Sequence, residues 1–415
     1  MESTGIRNKI QMSNATAKLL IKAGKEHWIE KRGELIDVKG KGSQETYFLK
    51  GSTVKELSSS GKPGSTNGAT TDTMDSSSSD ANDHQAQSVT QLQSPGGISS
   101  KTARLIDWNT EVLSRRICGI VNHRHGLDDN TKGIQLDKNA TELLRHYIQG
   151  IACMYRDNPF HNFSHASHVT LSMEKMLSRV QLNSDFSSGY ANNICSDPLA
   201  KFAVVLAALI HDVDHQGISN DTLVKEKDPI AVKYHGKSPA ENHSLCIGWE
   251  ILMQPEYSHL VKTICGDSTK EVNRLKGLLK NAVLATDVFD KDLKDSRNLR
   301  WAQVFGNSVM SQSSPQEMDS MRATIVLEHL IQASDVAHTM QHWNPADFWY
   351  QGELGFLNHY IIPLAKKLKE CEVFGVSCDE FLNYAEANLQ EWELKGEGIV
   401  AEFTKRYNTK NGFDN

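Results

Sequence analysis

Between residues 56 and 102 the chain is a tract of Ser, Gly, Thr, Asp and Asn with almost no large apolar side chain. Such a segment buries too little apolar surface to offset the entropy of ordering it, so it joins no hydrophobic core. We therefore assign residues 52–102 to a flexible, disordered linker that divides the 415-residue chain. On one side lies a short N-terminal piece, residues 1–51. On the other lies a block from 103 to 405, followed by a polar tail at 406–415. The C-terminal block is long enough for a sizeable core with a cleft in it.

The block reads as helix. WNTEVLSRRICGIV, ATELLRHYIQGIACMY, HASHVTLSMEKMLSRV and DPLAKFAVVLAALIHDV all repeat apolar residues at spacings of three and four. Strand signals are scarce, and we expect a compact, all-α, multi-helix domain. The N-terminal piece differs, with a short helical pattern running into β-rich hairpin segments, an α/β arrangement. A net charge of −6 comes with no basic stripe of the kind that tracks a nucleic-acid backbone. The seven cysteines are scattered, without a CxxC pair or a secretory signal, and read as reduced thiols of a cytoplasmic chain. No run approaches the roughly 18 apolar residues of a membrane span.

The strongest chemical signal is a set of ionisable residues among apolar helical segments: His161, Asn162 and His165, then His211, Asp212, Asp214 and His215, then Asp335. Each alone has a plain reading, a surface or core histidine, a capping or solvent-facing carboxylate. His211 and Asp212 are harder to explain that way. They end the nine apolar residues from Phe202 to Ile210, where a buried ionisable pair needs a partner. A cation supplies one. Adjacent His and Asp offer two different donors to one ion and leave a second carboxylate oxygen to reach another. Mixed imidazole and carboxylate donors suit Zn²⁺ at one position, and an oxygen-rich, watery position suits Mg²⁺ or Mn²⁺.

With NPFHNFSHASHV, AALIHDVDHQGISN, AENHS, VLATD, QASDVAH and ELGF…IIPL in this order, residues 103–400 resemble the class I 3',5'-cyclic-nucleotide phosphodiesterases, members of the HD superfamily. The GELGF wording is similar to that of protist and algal members. The resemblance implies hydrolysis of cAMP, cGMP or both with two divalent ions. It implies that His165, His211, Asp212 and Asp335 hold the tighter ion, Asp212 touching the second as well. It makes His161 the acid that protonates the leaving O3′, Glu241 the carboxylate that holds this imidazole and raises its pKa, and His215 and Thr286 the groups that orient waters on the metals. Glu353 and Phe356 fall where the family binds the purine. The Phe agrees; the family's Gln is replaced by Glu353, which accepts hydrogen bonds but donates none when ionised. A second departure is length. Only 17 residues, Pro345 among them, separate Asp335 from Glu353, where the family has a long helix and a loop. From this we expect a poorly placed purine pocket.

MESTG at the start and VKGKGSQETYFL at residues 38–49 make residues 1–51 resemble the final part of a class III adenylyl or guanylyl cyclase domain. That part follows the family's late catalytic Asn and Arg, so no cyclase chemistry is expected of it. A cyclase piece ahead of a phosphodiesterase suggests a parent fusion protein, membrane-bound in one version, that makes and destroys one cyclic nucleotide. Two other readings stand beside this: a broader HD-type phosphohydrolase, and an impaired or non-catalytic nucleotide-binding regulatory domain.

Overall fold

The computed structural model describes residues 11–14, 17–18, 21, 26, 29–38, 42–49, 98–127, 135–182, 189–306, 314–341 and 353–411, some of them, Glu353 included, in their backbone only. Two compact units emerge, residues 1–84 and residues 85–415. In the first, β1 (Gln11–Ser13), β5 (Thr46–Leu49) and β2 (Ile29–Lys31) form an antiparallel sheet in the order β1-β5-β2. β3 (Ile36–Val38) and β4 (Gly42–Gln44) pair as a separate hairpin. Phe48 and Ile29 are buried in this small unit.

The second unit is all-α among its described residues. It opens with α1 (Ser100–Arg124), whose first turn is capped by the Ser99 hydroxyl accepting from the Thr102 N–H. The last three residues of the expected linker are thus the first turn of a helix. Ser99, seven residues before Ile106, the first buried apolar side chain of α1, reads equally as linker or as cap, and the apolar face of α1 decides for the cap. Residues 52–97 of that linker lie outside the described residues. At the other end the final helix continues to Asn411, into the stretch expected to be a polar tail.

Next come α2 (Lys138–Met154), α3 (Phe163–Leu182), α4 (Gly189–Ser196) and α5 (Pro198–Ile210). α5 is the axis of the unit. Asp197 caps it, Pro198 occupies its first turn, and every residue from Leu199 to Ile210 is buried, against α1, α3 and α10 (Thr269–Ala285). The one charge among them, Lys201, escapes by donating to the Cys195 carbonyl at 2.8 Å. A helix apolar on all sides belongs in the middle of a bundle.

Beyond α5 run the short α6 (Asn220–Lys225) and α7 (Pro229–Lys233), then α8 (Pro239–Leu252), α9 (Ser258–Cys265), α10, α11 (Lys291–Phe305) and α12 (Pro315–Asp335). Gly248 lets α8 lie close on the end of α5, since a Cβ there would stand 2.9 Å from Ile210 Cδ1. α12 carries a full capping box, Ser314 with Glu317, and packs on α3, α4 and α10. α13 (Glu353–Phe356), a π-helical turn at Leu357–Ile361, α14 (Ile362–Glu370) and α15 (Glu380–Asn411) complete the unit. Residues 342–352, which include most of the short connection between Asp335 and Glu353, lie outside the described residues. So does the pocket defect expected from that connection.

Candidate metal centre

Three helix ends bring the site together. His165 sits in the first turn of α3, where its own N–H donates to Asn162 Oδ1 at 3.0 Å, so Asn162 caps that helix. His211 and Asp212 follow α5 directly, and Asp335 closes α12. Helix ends suit this task because they fix a backbone rigidly while leaving side chains free to converge.

His165 Nε2 lies 2.9 Å from Asp335 Oδ1 and 3.7 Å from Asp212 Oδ2, and His211 Nε2 lies 3.1 Å from Asp212 Oδ2 and 3.4 Å from Asp335 Oδ1. Donors about 2.0–2.2 Å from one ion stand about 3.0–3.5 Å from each other, which is the spacing of this cluster. His211 Nδ1 donates to the Ala208 carbonyl at 3.0 Å, which leaves Nε2 to face the carboxylates, with a lone pair whenever the ring is neutral. His211 Nε2 and Asp212 Oδ2 are both buried and without a hydrogen bond. Buried orphans of this kind are rare and costly, and a cation satisfies both at once. The charges agree. Burial opposes ionisation of all three groups, yet Asp212 and Asp335 push the pKa of His211 well above that of an ordinary imidazole. Against the same burial, His211 brings Asp212 down to about 2, and His165 and His211 bring Asp335 below the usual carboxylate range. Two ionised carboxylates in a dry pocket draw in positive charge, and the residues fit a divalent ion.

Beside this cluster stands a second, His161, Asp212 and His215, whose ligand-type atoms all lie within 4.8 Å of one another. The His161 and His215 rings stack at 3.9 Å with 25° between planes. Here the histidines are set differently. His215 Nδ1 accepts from the Gly217 N–H at 3.0 Å, so the neutral ring carries its proton on Nε2 and presents a donor. Gly217 allows this because its φ of +78° turns the backbone back on the ring. Burial lowers the pKa of His161 and takes that of His215 to about 4.

Two readings of the sequence change here. Glu241 makes no hydrogen bond to His161; it accepts at 2.8 Å from Asn220 Nδ2, which also donates to Asp287 Oδ2 at 3.1 Å. Burial and the neighbouring Asp287 push Glu241 up to about 7, and the His161 pKa falls where we expected it to rise. Asp214 turns away from the ion cluster. It takes a left-handed φ of +59° and binds Arg156 Nε at 2.7 Å and His243 Nε2 at 2.9 Å. Thr286 ends α10 with its hydroxyl donating to the Val283 carbonyl at 2.7 Å. Phe356 stacks on Tyr360 at 5.3 Å. The sequence reading passed over Asn158, Asn220 and Asp287, although RDNPFHN, GISN and ATD hold them within a few residues of histidines and carboxylates it did single out.

Comparison with known proteins agrees with this geometry. Residues 160–353 match the sequence model of the 3'5'-cyclic nucleotide phosphodiesterase family, and residues 1–51 that of the adenylate and guanylate cyclase catalytic domain. The cGMP-specific 3',5'-cGMP phosphodiesterase 3 of Dictyostelium discoideum is 33% identical over 157 residues, 38% of this chain and 30% of that protein. The human high affinity cGMP-specific 3',5'-cyclic phosphodiesterase 9A is 27% identical over 206 residues, 50% of this chain and 31% of that protein. The chain thus spans about a third of the length of these curated relatives. Among solved structures, the phosphodiesterase domain of the RhoPDE fusion protein from the choanoflagellate Salpingoeca rosetta shares the fold, with a TM-score of 0.53 at 20% identity, covering 77% of this chain and 98% of that one. Helical architecture, motif order and family match converge on one conclusion: residues 160–353 belong to the 3'5'-cyclic nucleotide phosphodiesterase family, and residues 1–51 are a fragment of the adenylate and guanylate cyclase family.

Proposed function

We propose that the chain hydrolyses the 3',5'-cyclic phosphodiester of cAMP, cGMP or both to the 5'-monophosphate, with His165, His211, Asp212 and Asp335 holding one divalent ion and Asp212 touching a second. The observation that carries the reading is the pair of buried orphans, His211 Nε2 and Asp212 Oδ2, inside a ring of donors at coordination spacing. The donor set favours Zn²⁺ at the first position and Mg²⁺ or Mn²⁺ at the second. Bound there, such ions acidify a water and neutralise the phosphate.

The protein groups do the rest. A water gives up a proton to solvent as its oxygen bonds to phosphorus, the P–O3′ bond breaks, and O3′ leaves as an alcohol by taking a proton from His161. Burial lowers the pKa of this imidazole, which makes its protonated form a stronger acid, and the arriving phosphate charge favours that form. His215, donor at Nε2, orients a water by hydrogen bond and leaves the ions to its neighbours. Glu241, pushed up to about 7 by burial and by Asp287, accepts from the Asn220 amide. Phe356 offers an apolar face to the purine, and Glu353 an acceptor for the amine of adenine or the N–H donors of guanine. The joined cyclase and phosphodiesterase stretches support a parent fusion protein acting on one nucleotide; no described helix is long and apolar enough to cross a membrane.

The test is a purified chain assayed on cAMP and cGMP before and after chelation, with Zn²⁺ and Mg²⁺ returned separately and together. Hydrolysis that is lost and then restored supports the reading. Undiminished hydrolysis after complete metal removal, or no hydrolysis with both ions bound, overturns it.

A further inference from the structure

We infer that Asn158 is a positioning residue that ties the loop carrying His161 to the turn carrying His211, Asp212 and His215; this rests on the acid role proposed for His161. The loop from Arg156 to Asn162 has no helix or strand of its own to hold it. Its ties to the turn come from side chains. Asn158 Nδ2 donates to the His215 carbonyl at 2.8 Å and to the His161 carbonyl at 3.3 Å, so a single amide holds the backbone of both stacked histidines. The Asn158 carbonyl accepts from Asn162 Nδ2 at 2.8 Å, and Asn162 Oδ1 accepts the His165 N–H, which joins the same residue to the first turn of α3. Gly217 leaves the amide its place: a Cβ there would lie 3.2 Å from Asn158 Oδ1, closer than an ordinary contact.

The chemistry requires an amide. Two carbonyl oxygens face one NH₂, whose two protons match two acceptors, and an aspartate of the same shape would set a negative charge against both. No other residue joins the carbonyls of the two histidines among the described hydrogen bonds. Arg156, at the start of the loop, binds Asp214 at 46% side-chain exposure, a tie to the turn that involves neither histidine carbonyl. Asn158 thus sets how far His161 stands from the reacting oxygen, while the four donors of the first ion are held by helix ends.

This separation gives the test. Asn158→Asp and Asn158→Ala are measured for bound metal, melting temperature, kcat and KM on the cyclic nucleotide, and kcat on a p-nitrophenyl phosphodiester, whose leaving group departs without a proton. A misplacement of about 1 Å costs on the order of 10²-fold in rate. The expected result is a 10- to 100-fold fall in kcat on the cyclic nucleotide (a range on the order of that cost) with metal content, KM and kcat on the nitrophenyl ester within about 2-fold. His161→Ala serves as the reference and shows the same leaving-group dependence, and the double variant His161→Ala/Asn158→Asp is no slower than His161→Ala. Equal losses on both substrates in the Asn158 variants, or lost metal, assign Asn158 a general structural role and overturn the inference. If His161→Ala itself lacks leaving-group dependence, the acid role fails, and the inference falls with it for a separately visible reason. Should Asn158→Asp fail to fold, Asn158→Ala, which brings no charge, decides alone.

Discussion

His211 and His215 stand four residues apart in one turn, yet the backbone prepares them for opposite work. The Ala208 carbonyl accepts from Nδ1 of His211, so its neutral ring has a bare Nε2; the Gly217 N–H donates to Nδ1 of His215, so its neutral ring keeps a proton on Nε2. One ring is made a ligand, the other a donor. The same division runs through the pocket. His165, His211 and Asp335 stand on helix ends, with their carboxylates held ionised and positive charge drawn in. His161, His215 and Glu241 are desolvated, and in each the charged form is disfavoured. Tautomer and burial, set by groups a few residues away, divide one run of similar side chains into an ion-holding half and a proton-handling half.

The sharpest way to break the comparison is to neutralise the ion-holding half. Asp335→Asn or Asp212→Asn removes one of the two carboxylate charges there, and a cation's charge stabilisation is worth several kcal/mol, so activity falls by about 10³-fold or more. Bound metal measured alongside falls in step while helical circular dichroism is unchanged. Retained metal with retained activity would mean that the cluster is not where the ion sits.

Next in size is His161→Ala, for which a loss of about 10²- to 10⁴-fold in kcat is expected. Metal content is the discriminating measurement. If the variant loses an ion and keeps its activity per ion, His161 belongs with the ligands and the division is drawn in the wrong place. A smaller effect follows at His215, where His215→Ala costs about 10- to 100-fold as an outer partner of the ions, and His215→Asn, which keeps an N–H, recovers part of it. An alanine variant as active as the parent would show that the tautomer set by Gly217 has no use.

The sequence disclosed the helices of the second unit because their apolar spacing repeats over many turns, and α5 in particular because nothing polar interrupts Phe202–Ile210. It disclosed which ionisable residues to examine, since a His-Asp pair at the end of such a run has no comfortable solitary state. Their tautomers were hidden, being fixed by backbone groups that any residue supplies: the Ala208 carbonyl and the Gly217 N–H leave no mark in composition. Glu241 was assigned to His161 by motif, and the structure gives it Asn220 and Asp287, which come from two other segments, 21 and 46 positions away. The left-handed φ that turns Asp214 toward Arg156 and His243 is likewise a property of the turn as a whole.

The smallest effect is one of stability, and it concerns the carboxylate that has no cationic partner among its hydrogen bonds. Asp212 and Asp335 are buried beside histidines and ionise readily; Glu241 is buried beside Asp287 and an Asn amide, and is pushed up from 4.5 to about 7. Between those pH values the folded chain holds a proton that the unfolded chain has released. Ionised Glu241 therefore costs stability above pH 7, the cost shrinks as pH falls through 7, and it is gone below about pH 4.5. A shift of this size corresponds to an upper limit of about 3 kcal/mol, at 1.36 kcal/mol per pKa unit. Glu241→Gln keeps an oxygen for the Asn220 amide and removes the charge. In chelated protein it should raise unfolding free energy at pH 8 by up to that amount, with the gain declining toward pH 5. A bound divalent ion lowers the Glu241 pKa by simple attraction, so adding metal should shrink the difference between parent and variant. Equal stabilities at pH 8 in chelated protein would show that Glu241 finds a positive partner of its own and belongs with the ion-holding half.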